Sequence, residues 1–206
     1  MLPLSATSPP TDLYYPTDRT CAVVGRSASA YERELRALLE GQPEAVRRYA
    51  RQLPPSERSD FERLIDHPYL IIRAAGSLGF DLVALRREYA FPIEVKASAE
   101  PVIRFSAASG RANEQLEAHR KAVSRVGLMV LYAYRRIGLR GSESWRLFAA
   151  GDVPKTGVLR IILRELPSVS RTPEGNGILR WEEGTTLSRF LYRARLLMEP
   201  VSPAVA

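Results

Sequence analysis

Three ionisable side chains stand in two apolar runs that otherwise look built for a core: Asp81 between Phe80 and Leu82, and Glu94 with Lys96 in "IEVK". Side chains alternate across a strand, so Ile93 and Val95 take one face while Glu94 and Lys96 share the other. A hairpin between the two runs would bring the Asp81 carboxylate beside that of Glu94. Two close carboxylates in a half-buried site repel unless a cation lies between them, and hard oxygen ligands suit Mg²⁺ or Mn²⁺. The bland alternative is an amphipathic strand with a wet side, which is what an isolated ExK most often is. Lysine favours the chemical reading, because the chain has 27 Arg and only three Lys, at 96, 121 and 155. A need for charge alone would have been met by this chain's habitual Arg, whereas a compact ammonium can hold a water or stabilise charge developing on a phosphate. Gly76 and Ser77, just before Asp81, make a small turn through which a hydroxyl or backbone group can reach a phosphate, or simply an ordinary turn.

These groups need strands to carry them. "YLIIRAA", "FDLVALRR" and "AFPIEVKAS" are short, rich in branched apolar residues and separated by Gly or charged turns, which predicts three consecutive strands. Upstream, Tyr31, Leu35, Leu38 and Leu39 fall on one helical face, with Ser29 as N-cap and Gly41 as stop. Residues 42–67 read as a helical insertion broken at "LPPS", where Ser56 can cap the second of its two short helices. Residues 109–126 carry helical spacing through Leu116, His119, Val123 and Val126, and "GLMVLYAYRR" then returns to a strand buried on both faces. "SWRLFAA" and "VLRIILREL" are further strand candidates, and an amphipathic helix closes the chain with Leu187, Phe190, Leu191, Leu197 and Met198. His119 lies on its helix's apolar stripe and reads as a packed imidazole, His67 as a turn residue. Gln115 shares the face of His119 and can reach the site, with no role assigned to it.

The 206 residues suit one globular domain. Residues 1–28, rich in Pro, Ser and Thr, read as a loosely docked arm. A single cysteine excludes a disulfide framework, and no Cys/His cluster offers a zinc site. No apolar run approaches the ~18 residues of a membrane span, so no membrane role is expected and a cytoplasmic setting fits. Of 30 basic and 23 acidic residues, 14 of each lie within the first 110, so the whole +7 excess falls in the second half, a charge balance that suits a nucleic acid partner.

The motifs together resemble the PD-(D/E)xK nuclease core and, more narrowly, the archaeal-type Holliday junction resolvases. "AYERELRALLEG", "IIRAAGS", an Asp within a few residues and "IEVK" occur here in the family's order, and "SWRLF" also fits; the similarity spans about residues 28–150. The resemblance implies a restriction-endonuclease-like α/β fold, a mixed central sheet flanked by helices over residues 29–155. The insertion at 42–67 and a C-terminal extension at 156–206 would pack on or beside that core. It implies that Glu32, Asp81 and Glu94, with the Val95 carbonyl, bind Mg²⁺ (or Mn²⁺), that Lys96 stabilises the transition state, that Ser77 lies at the catalytic loop, and that Arg33 and Arg73 contact DNA phosphates. The implied activity is paired nicking of four-way junction DNA by a homodimer, in recombination and repair. Phe80 stands where the superfamily's nominal proline would be, and the insertion separates the first helix from the first strand. Glu32, beside Arg33, Glu34 and Arg36, can also be read as one more exposed helix charge. The alternative activities are another nuclease of this superfamily acting on duplex or flap DNA, and a catalytically silent DNA-binding relative.

Overall fold

The apolar face of the first amphipathic segment buries Tyr31, Leu35, Leu38 and Leu39 in helix α1 (Ala28–Leu39). This computed structural model describes residues 28–74, 79–87, 89–105, 111–151, 157 and 159–198; the arm expected over 1–28 lies, but for Ala28, outside them. Gly41 ends the α1 turn with φ at +67°, and a Cβ there would stand 2.2 Å from the Leu64 carbonyl oxygen, so the position accepts only glycine. Ser29 is no cap: it stands within the first turn of α1, where its hydroxyl accepts from Arg33 Nη1 at 3.2 Å.

Helices α2 (Pro43–Ala50) and α3 (Pro55–Glu62) occupy the expected insertion, each opening on a proline that fixes φ and lacks the N–H a first turn leaves unbonded. Ser56 likewise sits inside α3, since Pro54 takes the cap position. Tyr49 stacks on Phe61 at 5.1 Å, which holds α2 against α3.

Six strands make the main sheet: β1 (Leu70–Arg73), β2 (Leu82–Arg86), β3 (Tyr89–Ser98), β5 (Val130–Arg136), β6 (Trp145–Ala150) and β9 (Thr185–Thr186), in the order β1-β2-β3-β5-β6-β9. All neighbours are antiparallel except β3 and β5, which run parallel. A parallel pair needs a crossover, here built from β4 (Val102–Arg104) and helix α4 (Arg111–Ser124). The mixed α/β sheet flanked by helices is thus the architecture expected from the sequence.

A second antiparallel sheet, order β4-β8-β7, joins β4 to β7 (Ser170–Arg171) and β8 (Gly177–Arg180) and adds to the expected architecture. The strand expected in "VLRIILREL" is instead helix α5 (Leu159–Leu163). Ile162, Leu163 and Leu166 are buried while Ile161 is exposed, a spacing that one helical face can satisfy and strand alternation cannot. The last helix, α6 (Leu187–Met198), buries Leu187, Phe190, Leu191 and Met198 as its pattern required.

Two apolar layers enclose the sheet. Phe91 and Ile93 of β3 with Leu131 and Ala133 of β5 face α1, α2 and α6, and Val130, Tyr132 and Tyr134 face Leu116 and Val123 of α4 and the small sheet. Period-2 alternation therefore commits Glu94 and Lys96, offset by one from Ile93, to the α4 side of β3.

Candidate active site

The β2–β3 hairpin delivers the acidic pair. Leu82 pairs with Ile93, and continuing that register by one residue sets Asp81 opposite Glu94. Asp81 immediately precedes β2 rather than standing within it, yet its backbone is tied on both sides: its N–H donates to the Ile93 carbonyl and its carbonyl accepts from Ala74 N–H, each at 3.1 Å. Its side chain folds onto the facing strand, where Oδ2 accepts the Val95 backbone N–H at 2.7 Å. Val95 thus orients the Asp81 carboxylate through its amide.

Glu94 is 3% exposed. Its Oε1 accepts from Lys96 Nζ at 2.6 Å, while Oε2 is buried with no hydrogen-bond partner among the described residues. Burial pushes this carboxyl up to about 7; the Lys96 ammonium pulls it down and the Asp81 charge pushes it up again. An orphaned carboxylate oxygen in such a place costs free energy that a cation would recover. The donor set fits a hard divalent ion, since Mg²⁺ keeps several waters and takes only one or two protein carboxylates. The described residues hold no group of three or more His, Cys, Asp or Glu suited to an ion.

Helix α4 completes the surroundings. Gln115 Oε1 accepts from Lys96 Nζ at 3.2 Å and its amide donates to the Gly79 carbonyl at 3.3 Å, so one side chain links the ammonium to the loop that carries Asp81. One helical turn on, His119 Nε2 lies 2.5 Å from that same carbonyl, which can only accept, so the proton is on Nε2 and Nδ1 accepts the Tyr132 hydroxyl at 2.9 Å. Burial lowers the His119 pKa and keeps the imidazole neutral, as a packed histidine should be; burial and the Glu94 charge raise that of Tyr132. Gly79 itself has φ +76°, and a Cβ there would meet His119 Nε2 at 3.3 Å.

Glu32 is engaged elsewhere, 3.4 Å from Arg73 Nη2, an ion pair in which Arg73 remains 60% exposed. Arg33 is exposed on α1. Glu34, two residues on, has a structural role: it binds Arg135 Nε at 2.9 Å and Trp145 Nε1 at 3.2 Å. The structure therefore gathers Asp81, Glu94 and Lys96, and sets Glu32 and Arg73 together as a pair. Ser77 lies outside the described residues. The sequence sets Gln115 on the face of His119, within reach of the site but without a role, and singles out nothing at Tyr132, although its strand parity with Glu94 points here.

No protein-family profile matches the chain, and no curated protein matches it. Among solved structures, Hjc of Archaeoglobus fulgidus, a Holliday junction resolvase from an archaeal hyperthermophile, is similar over 66% of this chain and 91% of that one, at 20% sequence identity and a TM-score of 0.42. Likeness of that extent assigns no activity, which has to be argued from the residues themselves. No helix among the described residues is long and apolar enough to cross a membrane.

Proposed function

We propose that this protein is a divalent-metal-dependent endodeoxyribonuclease acting on four-way DNA junctions, with Asp81, Glu94 and Lys96 as its catalytic centre. The observation that carries the reading is the buried, unpartnered Oε2 of Glu94 beside Asp81 and an ammonium. Asp81 and Glu94, with the Val95 carbonyl, would hold Mg²⁺ or Mn²⁺, which when bound lowers the pKa of a coordinated water and offsets phosphate charge; Glu32, paired with Arg73, could join them only by leaving that ion pair. Lys96 adds fixed positive charge where the attacked phosphate becomes more negative, and Gln115 keeps it there. Asp81 is preset by the Val95 amide, so its carboxylate needs no reordering when substrate arrives. Ser77, four residues before Asp81 in the sequence, with Arg33 on α1 and Arg73 on β1, would contact phosphates on either side of the cut.

Junction selectivity is supported by the ordered motifs that resemble the archaeal-type resolvases, and the basic excess in the second half of the chain suits phosphate contact in general. Cutting a near-two-fold junction into two duplexes calls for paired nicks, which a symmetric homodimer would supply. The deciding experiment is cleavage of a labelled immobile four-way junction and a matching linear duplex, in Mg²⁺ or chelator, by wild type and Asp81→Asn. Metal-dependent paired nicks confined to the junction, and absent from the variant, are expected. Equal cutting of linear duplex would overturn the junction assignment, and junction binding without cutting in either metal would overturn the nuclease.

A further inference from the structure

The insertion and the last helix have no part in the centre just described, yet α3 and α6 face one another across a cavity of about 420 Å³. That volume lies within the usual range for small-molecule sites. Tyr69 and Arg86 also line it. Arg86 ends β2 and Asp81 precedes its start, five residues of strand or about 17 Å apart at roughly 3.4 Å per residue, so the cavity stands apart from the carboxylate pair.

Three kinds of group line it. Four arginines, at 63, 86, 189 and 195, stand with two carboxylates, Glu57 and Asp60, and Arg189 also lies 3.8 Å from Glu165 outside the lining. Both carboxylates are already engaged: Asp60 Oδ1 lies 2.8 Å from Arg195 Nη2 and 3.7 Å from Arg63 Nε, and Glu57 Oε2 accepts from Ser188 Oγ at 3.2 Å. Arg86 pairs with no carboxylate among the described residues and lies over the Tyr69 ring at 5.6 Å. Tyr69 is itself 4% exposed, and its hydroxyl is buried beside the Arg86 guanidinium. Leu64 and Leu191 give apolar walls, and Tyr192, 40% exposed, has the Arg195 guanidinium 5.5 Å from its ring centre.

Inorganic phosphate would leave the aromatic wall wet, and an uncharged aromatic would leave the guanidinium excess unmatched. An anion, a planar ring and donating hydroxyls in one molecule answer all three. We propose that this cavity binds a nucleoside monophosphate. Its phosphate is held by the arginines, Arg86 above all; its base lies against Tyr192; its ribose hydroxyls donate to the carboxylates on α3. The assignment rests on these residues and is independent of the nuclease reading.

Calorimetric titration of the full chain with AMP, GMP, CMP and UMP tests it, with the corresponding nucleosides and inorganic phosphate as controls. At least one monophosphate should bind saturably at one per chain, its nucleoside and free phosphate about tenfold more weakly or worse, as loss of a charge-assisted contact implies. Arg86→Gln should weaken it by about the same factor, while Asp81→Asn leaves it unchanged. Arg189→Gln, at a side chain 63% exposed, gives the same readout should Arg86→Gln disturb the fold. Absence of binding at millimolar nucleotide, equal binding of free phosphate, indifference to both arginine substitutions, or loss of binding in Asp81→Asn would each overturn the proposal.

Discussion

Asp81 and Val95 are joined across the hairpin by a bond from the Val95 amide to Asp81 Oδ2, 2.7 Å long, so the carboxylate is aimed by the strand that also carries Glu94 and Lys96. The two variants of Asp81 should therefore differ. Asp81→Asn keeps an oxygen for the amide and should abolish junction cutting with little change in unfolding midpoint. Asp81→Ala removes the acceptor as well and should cost a further 1–3 kcal/mol or so in urea unfolding. Equal stabilities for the two would mean the bond does not hold the loop.

Glu94, held up at about 7 by burial, gives a pH signature. Its folded-state pKa lies above the unfolded value, so its contribution to stability is present below about 4.5 and is lost as pH rises through about 7. Metal-free wild type should lose on the order of 3 kcal/mol relative to Glu94→Gln between pH 4.5 and 8, since one pKa unit is worth about 1.4 kcal/mol. A divalent ion prefers the ionised carboxylate, so Mg²⁺ should raise the melting temperature more at pH 8 than at pH 6, and cleavage should climb through neutrality. A flat difference between wild type and Glu94→Gln would contradict this.

Gln115 is expected to matter through Lys96. Gln115→Leu should lower the cleavage rate by roughly 10–100-fold, the usual range for groups that orient a functional side chain, while junction affinity stays the same. Lys96→Ala should cost on the order of 10²–10³-fold. In the double variant the two losses should not add, because Gln115 would no longer have an ammonium to hold.

Arg73 projects from an edge strand and pairs only with Glu32 among the described residues, at 3.4 Å. Arg73→Gln should weaken junction binding and reduce the slope of log affinity against log salt by about one, with less than roughly 1 kcal/mol change in stability. An unchanged salt slope would remove Arg73 from the DNA contact.

The reach of the sequence is set by the range of the forces involved. Alternation along "IEVK" and the short break before it were enough to bring Asp81, Glu94 and Lys96 together, because hairpin register is local. Gln115 and His119 meet the site only because the crossover sets α4 over β3 and β5, a placement decided by packing across some twenty residues of chain. The run "LRIIL" defeated periodicity because a five-residue branched apolar segment fits helix and strand alike, and burial of Ile162 next to Leu163 decides it only once α6 is in place. A strand as short as β7 carries too few residues to show a pattern.

The parallel pairing of β3 with β5 sets the two halves of the site at different loop-closure costs. Hairpin contacts between β2 and β3 close short loops and can form early, whereas β5 and α4 must return across the crossover, a larger loop-closure cost. The amide of Val95 should accordingly be among the slowest to exchange with solvent, and those of α4 faster. Transient lifting of α4 would free Lys96 from Gln115 while Asp81 stays latched, opening the centre with its acidic half intact.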